Sequence, residues 1–169
     1  MPGKREGETE LAADPAALAA DAHVVFISRL RSAWVSGADC PKNMVAARAT
    51  GQQAVLEVDP AYRPGLIGLA GASHVIILTW LDRAQRNLIV QKPRHATDPK
   101  GVFALRSPVR PNPIGLHVAG LLSVDIEAGW LHLDAIDVFD ATPVIDIKPY
   151  FATTDAFPGA LPARHRDAP

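Results

Sequence analysis

Pro108, Pro111 and Pro113 crowd into one short stretch of this chain, between two apolar runs. A proline fixes φ and lacks a backbone donor, so none of the three can sit inside a helix or a central strand. Each also pushes the residue before it toward extended geometry. Residues 101–115 should therefore form a stiff loop, with Arg106, Ser107, Arg110 and Asn112 held in fixed directions. Stiff loops that carry Arg and Asn are sites more often than packing elements.

The rest of the chain reads as short strands. Residues 24–28 are a β-branched and aromatic run, 54–58 and 87–91 read as further short strands, and 74–81 is apolar almost throughout, which predicts a fully buried central strand. Residues 118–126 and 130–134 alternate around Ala128-Gly129, which predicts a hairpin, and 144–147 is a short strand stopped by Pro149. Asp59-Pro60 reads as the capped start of a helical turn that Gly65, Gly68 and Gly71 keep short. Strands do not alternate with long helices, so a doubly wound α/β sheet is disfavoured. The expected fold is all-β, or mostly β with short helices, in a small closed or partly open barrel. Residues 22–158 form the expected domain, with a flexible tail over 1–21 and a second tail over 159–169.

A chain of 169 residues suits one domain with a real core. No apolar run is long enough to span a membrane, and the first twenty residues lack the apolar centre of a signal peptide. With the single cysteine, Cys40, this points to a cytoplasmic protein. Net charge is −1, yet residues 92–110 hold Lys92, Arg94, Lys100, Arg106 and Arg110 against Asp98. A local basic face on a neutral body fits a specific anionic ligand better than general coating of DNA.

Several chemistries are disfavoured. Histidines 23, 74, 95, 117, 132 and 165 show no short ligand spacing, so no metal is expected. His74 opens an apolar strand and reads as a hydrogen-bonded core histidine. Cys40 has no activating histidine nearby and reads as an inert thiol. The glycines at 65, 68 and 71 have the wrong spacing for a dinucleotide fingerprint. Two further polar segments stand out. In 140–150, Asp146 and Lys148 fall on one face of a strand, opposite Ile145 and Ile147, and Tyr150 continues that face. In 34–43, Pro41-Lys42-Asn43 closes another proline-stiffened loop.

Together these segments resemble the TrmO (YaeB-like) family of S-adenosylmethionine (SAM)-dependent tRNA N6-adenine methyltransferases. The likeness rests on Val102-Phe103-Ala104-Leu105-Arg106-Ser107-Pro108-Val109-Arg110-Pro111-Asn112-Pro113-Ile114-Gly115 and on Asp140-Ala141-Thr142-Pro143-Val144-Ile145-Asp146-Ile147-Lys148-Pro149-Tyr150, in that order. Ser73-His74-Val75 entering its strand adds to it, and the likeness covers roughly residues 22–158. It implies a β-barrel that binds SAM, a homodimer, and methylation of the exocyclic amine of threonylcarbamoyl-adenosine next to the tRNA anticodon. Cofactor contacts are implied at Pro41, Lys42, Asn43, Asp82, Arg83, Arg106, Leu116, Val144, Ile145, Asp146 and Ile147. The family's Pro-Arg-Gln loop is Pro41-Lys42-Asn43 here, its His-Gln pair is Asp82-Arg83, and a Gly common after its Asp is Ala141. The sequence ends near the end of the barrel, short of the C-terminal domain of longer bacterial members.

Methyl transfer from a sulfonium is an in-line displacement, so alignment and charge stabilisation dominate its needs. The adenine amine is a weak nucleophile, and a hydrogen-bond acceptor such as Asn112 or Asp146 would raise its reactivity. Arg106 and Arg110, with Asn112, suit an RNA substrate, because guanidinium groups bind phosphates and carboxylates in bidentate fashion. Lys148 and Tyr150 could donate to the same acid or orient Asp146. Two alternatives stay open: an enzyme of this fold acting on another nucleobase or a small molecule, and a non-catalytic SAM- or RNA-binding module.

Overall fold

The computed structural model describes residues 5–17, 22–93 and 97–161. Arg94, His95, His165 and the outer parts of both expected tails (1–4, 18–21 and 162–169) lie outside the described residues. The strands are β1 (Thr9–Glu10), β2 (Ser28–Arg31), β3 (Ala54–Val58), β4 (His74–Trp80), β5 (Leu88–Gln91), β6 (Lys100–Gly101), β7 (Ile114–Asp125), β8 (Trp130–Leu133) and β9 (Pro143–Pro149). Two short α-helices, α1 (Met44–Ala49) and α2 (Ala152–Asp155), join them. The chain divides into two compact units, one of residues 21–82 and 114–150, the other of 1–20, 83–113 and 151–169.

The first unit is the barrel. Six antiparallel strands close in the order β2-β3-β8-β7-β4-β9. Alternation explains the closure, because side chains of period two point in and out by turns. Leu30, Leu56, Val75, Ile77, Leu131, Leu133 and Val144 point inward and are fully buried. Their neighbours on each strand face outward. The mostly-β barrel expected from the sequence is thus the fold observed. The β7–β8 hairpin also forms as the turn residues predict, with Gly129 at φ 77°.

Five details differ from the sequence-based expectations. The first barrel strand begins at Ser28, not at Val24. Val24 and Val25 are exposed, and the alternating Ser28-Arg29-Leu30-Arg31 makes the ladder because it puts Leu30 inside and both arginines outside. β4 is buried on one face only, since Ile76, Leu78 and Trp80 lie on the outside of a barrel. His74 is exposed rather than a core residue, with Nδ1 3.0 Å from Ser73 Oγ and its ring 6.3 Å from Tyr150. The helix α1 was not expected; Asn43 caps it, its Oδ1 accepting from the Ala46 N–H at 2.9 Å. Asp59, read as a cap, makes no such bond to the 3₁₀ turn Pro60–Leu66.

The second unit holds a three-stranded sheet in the order β1-β5-β6. Residues 9–10 lie in the expected N-terminal tail, yet they pair with β5. Glu8 beside them is buried, bonded by Arg5, whose side chain and backbone N–H hold its carboxyl down at about 2. The strand read at 87–91 therefore belongs to this sheet and not to the barrel.

Candidate functional site

The outer face of β7, β4 and β9 collects several of the expected site residues. β4 pairs on one side with β7 and on the other with β9. Leu78 is opposite Leu116 in the first ladder and opposite Asp146 in the second. The three side chains therefore form one row on the outside of the barrel. In the next row Ile76 lies between Val118 and Lys148. A shift of register in the β4–β9 ladder between Leu78 and Thr79 marks a bulge beside Ile145, of the kind that re-aims side chains near sites.

Within this face Asp146 is clamped. Its Oδ1 accepts the N–H of Ile147 at 2.9 Å and its Oδ2 lies 2.5 Å from Lys148 Nζ. The shared face expected for Asp146 and Lys148 is therefore present. Leu116, 49% exposed, and Ile114, 45% exposed, place apolar surface on the same side. Tyr150 follows the end of β9; its N–H donates to the His74 carbonyl at 3.0 Å. Val144 is fully buried inside the barrel, so only its backbone can meet a ligand outside. Ile145 and Ile147 are half-buried.

Behind this face lies a network that the sequence did not reveal. Thr79, Gly115 and His117 point into the barrel. His117 Nδ1 is 2.6 Å from Asp137 Oδ1, and its Nε2 is 3.0 Å from Thr79 Oγ1. The carboxylate fixes the tautomer: Nδ1–H donates to Asp137 and Nε2 accepts the Thr79 hydroxyl. The residue types suggest a nucleophile with its base, but Thr79 is 0% exposed and His117 6%, so no substrate reaches the hydroxyl. The network instead ties β4 and β7 to the 134–142 segment. Gly115 makes it possible. A Cβ there would lie 2.5 Å from His117 Nε2 and closer still to Thr79 Oγ1.

The segment after β8 is pinned from the other side. Trp34 Nε1 donates to the Ile136 carbonyl at 2.7 Å, and Asp140 Oδ1 accepts the Ser32 N–H at 3.2 Å. Ala141 adopts φ 63°, the left-handed region, with its N–H on Leu30 O at 2.8 Å and its carbonyl accepting from Arg29 Nη1 at 3.1 Å. The position where the family commonly has Gly is thus a true left-handed turn. Pro41 is half-buried, while Lys42 and Asn43 are exposed, and the Asn43 side chain is occupied as the α1 cap. Asp82 is exposed at the turn after β4. Cys40 is held as a thiol: burial first, then the Asp137 charge, push it up to about 11.

In the other unit, the proline loop is braced from within. Arg110 donates to the carbonyls of Ser107 at 2.9 Å and Val102 at 3.0 Å, and to Leu105. Gln91 donates to Val109 O, and Arg86 Nε donates to Pro111 O at 2.7 Å. Arg110 therefore commits three of its N–H donors to its own loop, and Arg106 and Asn112 are exposed on the same loop. Arg83, also exposed, opens this unit after Asp82. No group of three metal-ligating side chains exists among the described residues. No helix among them is long and apolar enough to cross a membrane.

The comparisons with known proteins point one way. Residues 29–156 match the family of the tRNA-methyltransferase O N-terminal domain. A probable S-adenosyl-L-methionine-binding protein of Archaeoglobus fulgidus is 45% identical over 101 residues, 60% of this chain and 27% of that protein. The mouse tRNA (adenine(37)-N6)-methyltransferase is 45% identical over 94 residues, 54% of this chain and 21% of its own length. A crystal structure of TrmO from P. aeruginosa superposes with a TM-score of 0.69 at 33% identity, covering 86% of this chain and 62% of that one. The chain thus spans about a quarter of the Archaeoglobus protein and about a fifth of the mouse enzyme. With the family match running through six of its barrel strands and both long motifs, the chain belongs to the TrmO family.

Proposed function

We propose that this chain is a SAM-dependent methyltransferase acting on N6 of threonylcarbamoyl-adenosine next to the tRNA anticodon. The observation that carries the reading is the family match over residues 29–156, supported by relatives named as a SAM-binding protein and as a tRNA adenine methyltransferase. The domain over 22–158 carries the activity, in the cytoplasm and as a homodimer.

The outer face of β7-β4-β9 suits the cofactor. Exposed Leu116 offers apolar surface to an adenosyl group, and Asp146, one row-mate away, offers a carboxylate to a hydroxyl, an amine or the sulfonium. Ile145 extends the contact, and Val144, Ile147, Pro41, Lys42 and Asn43 take part through their backbones, the Ile147 side chain facing inward opposite Ile77. Asp82, Arg83 and Arg106 complete the proposed cofactor set. Bound SAM supplies an electrophilic methyl on a positively charged sulfur.

The chain's own residues do the rest. Asn112 accepts a hydrogen bond from the adenine amine and raises its nucleophilicity. Lys148 holds Asp146 in place through their ion pair, and Tyr150 donates to the substrate's acid. Arg106 meets the phosphate or the threonyl carboxylate. Arg110 acts one step back, keeping the loop in shape through its carbonyl bonds.

The test is incubation with methyl-labelled SAM and tRNA bearing threonylcarbamoyl-adenosine, followed by nucleoside analysis. Label in the N6-methylated nucleoside is expected. Label confined to a non-RNA fraction would instead assign the same chemistry to another acceptor. SAM binding without any transfer would mark a binding module, a reading favoured by the use of Asn43 as a helix cap.

A further inference from the structure

The outer face of β2, β3 and β8 forms a second polar surface, built from other residues than the cofactor face. The ladder registers set Arg29 opposite Glu57 and Glu57 opposite Trp130, in one row. Arg31, Val55 and His132 form the next row. Leu30, Leu56 and Leu131 on the same strands are fully buried, so the charged and aromatic set must face outward. Trp130 is 45% exposed, and its ring meets His132 edge-on, 6.4 Å between centroids.

Arg63 reaches the same place from the 3₁₀ turn. It lies over Gly129, donating from Nε to Val58 O at 3.3 Å and from Nη1 to Glu127 O at 2.6 Å. Arg31 Nε is held by Glu57 at 2.9 Å and Arg29 Nη1 by Ala141 O at 3.1 Å. Each guanidinium has five N–H donors, so these bonds orient the three groups without saturating them. The arginines and Trp130 line an open cleft of about 390 Å³, together with Glu57 and Asp59. Three cations against two carboxylates leave a local charge of +1, opposite in sign to the whole chain.

An aromatic face standing on a sheet among oriented arginines is the arrangement that stacks an unpaired base and holds the phosphates beside it. We propose that this face binds a single-stranded stretch of RNA, with one base on Trp130 and its flanking phosphates on Arg29, Arg31 and Arg63. The proposal rests on the RNA reading of the chain's function and adds a contact surface to it. The two carboxylates keep the surface weakly charged, so binding depends only moderately on salt, with a slope of about 0.7 for each phosphate held.

Binding of fluorescein-labelled oligouridine, followed by anisotropy, tests it against a blunt RNA duplex. The wild-type chain should bind the single strand more tightly than the duplex. Trp130→Leu should weaken single-strand binding about tenfold, the loss of one stacked base, whereas Trp130→Phe should retain it. Arg31→Gln should lower the salt slope by about 0.7. Unchanged affinity in Trp130→Leu, or no binding by the wild type, overturns the proposal. So does a Trp130→Leu chain that changes only its sedimentation from dimer to monomer, since the face would then belong to a second copy. Methyl transfer by the wild type, measured in parallel, separates the two readings. Trp130-dependent binding without transfer leaves this surface standing and removes the enzyme; transfer with a KM for tRNA untouched by Trp130→Leu removes the surface and leaves the enzyme.

Discussion

Leu116 and Asp146 stand opposite the same residue, Leu78, from the two strands that flank β4. Two strand spacings separate them, roughly 10 Å. That distance suits one ligand of nucleoside size, touched by an apolar side chain at one end and a carboxylate at the other. Asp146→Asn should weaken SAM binding by roughly 10- to 100-fold, the worth of a hydrogen bond to a charged group. Calorimetric titration checks this, and thermal unfolding should hardly change, because an exposed ion pair such as that with Lys148 contributes at most about 1 kcal/mol.

Gly115 has no room for a side chain. Gly115→Ala should cost about 1–3 kcal/mol, as overpacking against Thr79 and His117 does in a tight interior. Urea unfolding measures it. Thr79→Ala removes the nearest obstacle, so the double variant should lose less than the sum of the two single changes. Additive losses would mean that the two sites are not coupled.

Ala141 is a non-glycine residue at φ 63°. Ala141→Gly relieves the crowding of Cβ there and should stabilise the chain by about 1 kcal/mol. Denaturant midpoints compare the two; equal midpoints would mean that the turn carries no strain.

Cys40 should resist alkylation. Its thiol is pushed from 9.0 up to about 11, so the thiolate fraction at pH 8 is about 100-fold lower than for an unshifted thiol. The rate with iodoacetamide should climb about tenfold per pH unit up to about pH 10, and Asp137→Asn should raise it at pH 8. A plateau near pH 9 would contradict the placement of this side chain.

Much of the barrel was legible because period-two alternation and turn residues are local signals. The β7–β8 hairpin follows from two alternating runs around Ala128-Gly129, and the Asp146–Lys148 pair from their spacing of two. What was missed depends on distant partners. His117 bonds Asp137 and Thr79, 20 and 38 positions away, and its only local sign was a polar residue at an inward position between Gly115 and Ala119. β1 has two residues and becomes a strand only by pairing with β5. The strand at 88–91 was identified, but pattern alone could not assign it to a second sheet. Arg110 shows the same limit at the site: its residue type suits a phosphate, and its additional reach to three carbonyls of its own loop is a matter of geometry.

The most direct test of the central claim is the nucleoside content of tRNA after incubation with SAM and the purified chain. Threonylcarbamoyl-adenosine should convert to its N6-methyl form, and Asp146→Asn should lose most of that conversion while staying folded. A wild-type chain that binds SAM and leaves every tRNA nucleoside unchanged would contradict it.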